Sequence, residues 1–312
     1  MQIIKIDKEE YKNHHNYFRF LYNKTLYLDS LPKNKEFAFF KIVDHNSKTK
    51  FLFFTINNNS EALKLPNPAP YWCLESVRKQ EKPEVYSLAI KLVKKHFLKT
   101  SKAITITLPP FLYDHRYVGL ITKLLLDEKF YVKHIDYNHH LDVSSFHEDE
   151  YLDNINTDAR RNLKIANKES LQFKKLKLKE YDQAYEVIKS NRKAKSYPLK
   201  LTKTQMLNNL SNFNGDVFAV FKDSFMVASA LIFSINDNVK QLIYWGDLTE
   251  YSKFKPMNYL AFEILKYYEN KSIHYIDLGP SSDEGEINSG LSNFKESIGA
   301  HTSLKFTLIY KS

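Results

Sequence analysis

A chain of 312 residues that holds one cysteine, seven glycines and six arginines is sparing with the residues that usually mark catalytic loops. The lone Cys73 has no partner for an internal disulfide, which points to a reducing compartment. No apolar run approaches the roughly 20 residues needed to span a bilayer. Residues 1–20 lack the apolar stretch of a signal peptide, because charge returns at Lys5, Asp7 and Lys8. A soluble cytoplasmic protein is expected. There is no HExxH, CxxC, GxGxxG, Walker loop or GxSxG. The pairs His14-His15 and His139-His140 are adjacent, which is poor spacing for metal ligands. They read as surface or strand histidines, and no metal is expected. Cys73, beside Trp72, reads as a core thiol.

What is present fits a folded chain. Hydrophobic residues make up 43% and aromatics 14%, so a core is available and disorder is excluded. At about 150 residues per domain, the length implies two domains. The net charge of +10 suits an anionic partner, but lysine greatly outnumbers arginine, which also fits a general compositional bias.

Periodicity predicts strands at 2–6, 37–43, 50–55, 103–108 and 131–143 in the first half, with helices at 8–28, after Pro83, and at 118–126. Pro66 to Pro70 reads as a loop, and Tyr71 to Cys73 as a short apolar run. In the second half, helices are expected at 153–168, 180–190 and 203–212, with an extended stretch at 171–178. Strands follow at 217–221, 226–235 and 240–246, then a helix at 256–269, a strand at 273–278, a helix at 291–298 and a strand at 303–310. Both halves mix the same kinds of element in a similar order. The polar stretch Ser144–Glu150 suggests a boundary, giving domains 1–145 and 146–312 of an α+β fold.

Three segments could carry chemistry. On the 153–168 helix, Arg160, Arg161, Lys164 and Lys168 share one face, with Ile155, Ala159, Leu163 and Ala166 on another. Two of six arginines lie here, and arginine's planar fork suits bidentate phosphate contact; an ordinary solvated face is the alternative. The run from Tyr251 to Leu260 leads from a strand into a helix whose first N–H groups could meet an anion, helped by Lys253, Lys255 and Asn258. It could equally be a plain connection. Ile276 to Ala300 holds four of the seven glycines: a strand delivers Asp277 to its C-terminal end, a polar loop follows, and a short helix carries Lys295 to a stop at Gly299.

Together these segments resemble the Fem-type peptidoglycan-bridge aminoacyltransferases and their acetyltransferase-like relatives in the GNAT superfamily, often built as a tandem of two GNAT-like folds. The resemblance covers about Leu141 to Tyr310. It is carried by Arg161-Asn162-Leu163-Lys164-Ile165-Ala166, by Asn191-Arg192 before a proline-containing turn, and by Asp277-Leu278-Gly279 with Phe294-Lys295 leading to Gly299-Ala300. It implies two tandem GNAT-like domains and acyl transfer to an amine. The donor would be an acyl-CoA or an aminoacyl-tRNA, and the acceptor an anionic small-molecule or nucleotide-linked substrate. Lys295 would stabilise developing negative charge, and Asp277 would orient substrate or hold the loop. Arg160, Arg161, Lys164 and Arg192 would take anionic groups. Many acyl-CoA users of the superfamily have a glycine-rich turn before the donor-binding helix, whereas Lys253-Phe254-Lys255-Pro256-Met257-Asn258 has no glycine. The chain also has no long charged heptad arm for tRNA. The donor stays open, as does a non-catalytic module binding an anionic metabolite. No DNA-binding motif accompanies the basic helix.

Overall fold

In the computed structural model, all residues are described except 32–35, 57–61, 66–68 and 79–80, together with the side chain of His15. The expected loop at Pro66–Pro70 and the His14-His15 pair therefore fall partly outside the described residues. The chain forms two compact units. The first holds Met1–Tyr137, Ser282–Glu286 and Ser303–Ser312; the second holds Asn138–Ser281 and Ile287–Thr302. This differs from continuous domains 1–145 and 146–312. The last strand returns to the first unit because its C-terminal half is the antiparallel partner of a strand there.

The first unit begins with β1 (Gln2–Ile6), α1 (Lys8–Lys12) and α2 (Thr25–Asp29), followed by β2 (Phe37–Val43), β3 (Thr49–Ile56), β4 (Ala62–Leu65) and β5 (Glu75–Ser76). It continues with α3 (Pro83–Phe97), β6 (Ala103–Thr107), α4 (His115–Asp127) and the start of β7 (Tyr131–Asp142). The expected helix 8–28 is broken into α1, two single-turn segments and α2. Phe18 and the consecutive run Phe20, Leu21, Tyr22 and Asn23 are all buried, and one helical stripe cannot bury four neighbours in a row. Strands β1-β2-β3-β5 form an antiparallel sheet, rich in phenylalanine from β2 and β3. β4 lies parallel to β6. Proline at the first turn of α3 costs no hydrogen bond, and Asp114 caps α4 through the Tyr117 N–H.

The second unit contains α5 (Glu148–Asn154), α6 (Thr157–Lys168), β8 (Gln172–Lys175), α7 (Tyr181–Ala194) and α8 (Lys203–Asn212). β9 (Asp216–Lys222), β10 (Phe225–Ser234), β11 (Val239–Asp247), α9 (Pro256–Glu269) and β12 (Tyr275–Pro280) follow. Two short strands, β13 (Ser282–Asp283) and β14 (Glu286–Ile287), pair before α10 (Ser289–Ser297) and β15 (His301–Lys311); β13, Glu286 and the residues of β15 from Ser303 on belong to the first unit. The single helix expected at 153–168 is split at Ile155-Asn156, where the Asn156 side chain caps α6 by accepting from the Ala159 N–H.

Within this unit the sheet runs β7-β12-β11-β10-β9-β8. All its neighbours are antiparallel except β11 and β12. Alternation along β10 sorts the helices onto two faces. Ala228, Ala230 and Ile232 pack into one core with Ala159, Leu163 and Ala166 of α6 and Leu260, Ala261 and Ile264 of α9. Ser229 points the other way and donates its hydroxyl to the Ala184 carbonyl of α7. So α6 and α9 cover one face, and α7 the other. Burial of each leucine or isoleucine here contributes on the order of 2 kcal/mol.

Candidate active site

The parallel pair β11–β12 is joined only as far as Gln241↔Asp277. Beyond that point β11 runs on to Asp247 and β12 to Pro280 without pairing to each other. Gly279, at φ +73, and a register shift against β7 between Asp277 and Gly279 turn β12 aside. Parallel strands that part at their C-terminal ends leave a crevice suited to a ligand.

Asp277 stands at the point of divergence and is almost fully buried. One carboxylate oxygen accepts from Asn138 Nδ2 at 2.8 Å and from the Gly279 N–H at 2.9 Å; the other accepts from Gln241 Nε2 at 3.3 Å. A carboxylate held by these donors fixes the strand end. Lys295 is also buried, and its ammonium donates to the Gly279 carbonyl at 2.8 Å and the Pro280 carbonyl at 3.1 Å. Burial lowers its pKa to about 8, partly opposed by the charge of Asp277. Two of its three protons are committed to the strand end, so Lys295 braces the crevice wall as well as charging it.

Beside them His139 is fully buried. Its Nδ1 lies 3.0 Å from Ser281 Oγ and its Nε2 3.2 Å from Glu296 Oε1, which also accepts from Ser292 Oγ at 2.8 Å. Burial lowers the His139 pKa against the pull of Glu296, so the neutral ring is favoured. The ring ties β7 and the end of β12 to α10. Sequence reasoning passed over His139 as a strand histidine. Its contacts with Ser281 and Glu296 come from residues more than 140 positions away, so they become visible only once the fold is known.

On the α7 face, Gly246 allows helix and strand to meet. A Cβ there would lie 2.4 Å from Asn191 Cγ, where none fits. Asn191 Nδ2 donates to the Asp247 backbone carbonyl at 2.8 Å and to its carboxylate at 3.1 Å. Burial raises the Asp247 pKa, with Lys195 opposing. The next residue, Arg192, donates through Nε and Nη2 to the Pro198 carbonyl, at 3.3 and 2.9 Å. Its guanidinium lies 5.1 Å from the Tyr197 ring centre and 5.2 Å from that of Tyr244. This geometry orients Arg192 and leaves its Nη1 protons uncommitted among the described residues. Asp247, Tyr197 and Tyr244 were not anticipated, because only folding brings them beside Asn191-Arg192.

The start of α9 is a helix end without a side-chain cap. Lys255 is in the left-handed region at φ 60, and Pro256 takes the first turn. The first N–H groups therefore remain for an anion. Asn258 is buried and Lys253 is exposed, with the Lys253 ammonium 4.9 Å from the Phe254 ring centre.

The α6 face divides as expected: Ala159, Leu163 and Ala166 are buried, and Arg161 and Lys164 are exposed. Arg161 pairs with Asp158 at 3.2 Å, and Arg160 lies 3.9 Å from Asp153. Arg160 Nε is buried with no hydrogen-bond partner. Arg160, Arg161 and Lys164 come from α6 on one face of the sheet, and Arg192 from α7 on the other.

α10 connects these corners. At its start, Asn288 Nδ2 is 3.4 Å from the Tyr197 hydroxyl; at its end, the Ser297 carbonyl accepts from the Asn156 N–H at 3.2 Å and the Ile298 carbonyl from the Tyr151 hydroxyl at 3.0 Å. Between them, Phe294 packs edge-on to Trp245 with ring centres 5.7 Å apart. The helix thus passes over the parting strands. A separate hollow of about 330 Å³ lies at the start of β12, by Asp142, Asn154 and His301, away from the crevice. Among the described residues no group of three or more His, Cys, Asp or Glu is arranged to hold a metal, and no helix is long and apolar enough to cross a membrane.

This fold is found in solved structures of very different sequence. FemX is similar over 100% of this chain and 98% of its own, with TM-score 0.70 and 13% identity. The C-terminal domain of a protein assigned as a lysylphosphatidylglycerol synthetase in Agrobacterium fabrum matches over 97% and 91%, with TM-score 0.60 and 10% identity. L-PGS from Bacillus licheniformis matches over 98% and 92%, with TM-score 0.58 and 12% identity. Neither a protein-family model nor a curated protein matches the chain. The chain shares the mixed α+β fold of FemX, as the sequence resemblance implies.

Proposed function

We propose that the chain is an N-acyltransferase, moving an acyl or aminoacyl group from an activated, phosphate-bearing donor to an amine. The observation that carries this reading is the parting of β11 and β12 beyond Gln241 and Asp277, beside the uncapped start of α9. The fold shared with FemX and with a protein assigned as a lysylphosphatidylglycerol synthetase supports a transferase of this kind.

The donor's phosphate would meet the first N–H groups of α9, with Lys253 and Lys255 adding positive charge and Asn258 shaping the turn. Its acyl carbon would enter the crevice between the strands. The amine attacks that carbonyl carbon, forming the new C–N bond. The tetrahedral intermediate then expels the donor's ester oxygen or thioester sulfur, and the amine loses a proton. Asp247, whose pKa burial raises, stands at the end of β11 as a candidate acceptor for that proton. Arg192, pre-oriented by Pro198 and two tyrosine rings, suits a carboxylate or phosphate on the acceptor. Arg160, Arg161 and Lys164 come from the helix on the other face of the sheet and suit a separate anionic group of the donor. Lys295 and Asp277 hold the crevice wall in position and supply its local field.

The test is a set of melting curves of the purified chain with acetyl-CoA, with a charged tRNA and with an amine-bearing nucleotide-linked precursor, followed by transfer assays on any that bind. A raised melting temperature with a thioester or a charged tRNA is expected, and the responding donor identifies its class. A folded chain that none of them stabilises is instead a binding module for some other anion, and the transferase reading fails.

A further inference from the structure

The first unit carries a cationic shelf that the proposed transfer does not use. A hollow of about 360 Å³ at the C-terminal end of α3 is lined by Lys91, Lys94, Lys95, Leu98, Lys99 and Glu128. Four ammonium groups thus face one carboxylate. Glu128 lies 3.8 Å from both Lys91 and Lys94, and Lys94 is further held by the Glu128 carbonyl and the Tyr310 ring. Lys95 and Lys99 are exposed. From residue 91 to 102 the chain has no acidic residue.

Lysines at the end of a helix are favoured by its dipole, so charge alone decides little. The exposed leucine of the same stripe decides more. Leu88 is 54% exposed. At 100° per residue, Leu88, Lys91 and Lys95 fall within about 60° of one another on α3. Glu84 shares that stripe, but lies about 10 Å from Lys91 at the far end of the helix. A nucleic acid would use arginine forks, which this shelf lacks, and would leave Leu88 in water. A bilayer surface rewards both halves of the pattern: lysines meet anionic headgroups, and Leu88 leaves water at the acyl boundary.

We infer that the α3 face, with Leu88, Lys91, Lys95 and Lys99, docks the protein reversibly on an anionic membrane surface. The inference stands on the first unit alone and holds whatever group the chain transfers.

The experiment is co-sedimentation of the full chain with vesicles of phosphatidylcholine alone and of phosphatidylcholine with about 30% phosphatidylglycerol, the anionic content that the charge attraction requires. Partition into the mixed vesicles is expected, with little into the neutral ones, weakening steeply as salt rises. The triple variant Lys91→Gln, Lys95→Gln, Lys99→Gln should bind about a hundredfold more weakly, at roughly fivefold per lysine. Leu88→Asn keeps the charge and should bind severalfold more weakly. Both variants alter exposed side chains, and an unfolding midpoint matching the parent shows that the fold is intact. Unchanged partition in either variant overturns the inference. So does retention of bulk tRNA on a filter that the triple variant loses, with no vesicle binding by the parent, since the shelf would then serve nucleic acid.

Discussion

Lys295 is a cation placed where a cation is costly. It is buried, its pKa is lowered to about 8, and its ammonium is shared between two carbonyls of the wall that it shapes. Lys295→Met keeps the length of the side chain and removes both bonds and the charge. If the chain transfers acyl groups as proposed, kcat should fall on the order of a hundredfold, the scale for losing one electrostatic contributor, while KM changes little. The sign of the pH effect follows from the lowered value. Below about pH 8 the ammonium is present, and above it the amine replaces it, so the parent's rate should decline as pH rises through 8. Lys295→Met should lack that falling limb. A kcat–pH profile of both proteins checks this, and an unaltered limb in the variant would assign it to another group. The resemblance and a cluster of glycines singled out the segment that holds Lys295 and Asp277. Their partners were not singled out. The donors to Asp277 come from Asn138 and Gln241, more than 30 residues away in sequence, and periodicity carries no information about such pairings.

At the level of elements, α10 depends on a histidine that belongs to another strand. His139 reaches Ser281 through one ring nitrogen and Glu296 through the other. His139→Ala leaves Ser281 buried without this partner, a cost of about 1–3 kcal/mol, and frees the C-terminal turns of α10. Chemical denaturation should read that loss. The lowered pKa of His139 fixes the direction of its pH dependence. The unfolded ring takes up a proton below the ordinary histidine value of 6.5, while the folded ring resists it. The folded state is therefore most favoured above pH 6.5 and loses stability as pH falls below it. His14, His96 and His140 share the lowered direction, so the histidine part of the parent's acid limb is a sum over four residues. His139→Ala should flatten it in part, and an acid limb as steep as the parent's would show that His139 takes no part. Most helices and strands of the second half were readable because each buries a single stripe or a single run. The helix expected over residues 8–28 failed for the opposite reason: it lacks a stripe, and the consecutive residues Phe20 to Asn23 are all buried.

For the molecule as a whole, the order of the chain and the order of its cores disagree. A boundary near residue 145 is the natural reading of a polar stretch between two mixed α/β halves. Yet residues 303–312 belong to the first unit. From Thr307↔Thr107 to Lys311↔Ala103 they form the antiparallel partner of β6, with Thr107 Oγ1 and Thr307 Oγ1 3.0 Å apart. Leu308 is fully buried and Ile309 nearly so. Sequence patterns announced this strand but not its destination, because pairing across some 200 positions leaves no local mark. The consequence is testable by truncation. A fragment of residues 1–145 lacks β15, so one edge of β6 loses its ladder and the apolar side chains beneath Leu308 and Ile309 are uncovered. Each of those two residues contributes on the order of 2 kcal/mol when buried, a large share of the 5–15 kcal/mol that holds a typical domain. The fragment should therefore unfold without a cooperative transition or aggregate through the bare edge. Adding a synthetic peptide of residues 303–312 should restore protection of the β6 amides in hydrogen exchange. A fragment that melts cooperatively without the peptide would mean that the first half completes its own core, and that β15 adds to it without being required.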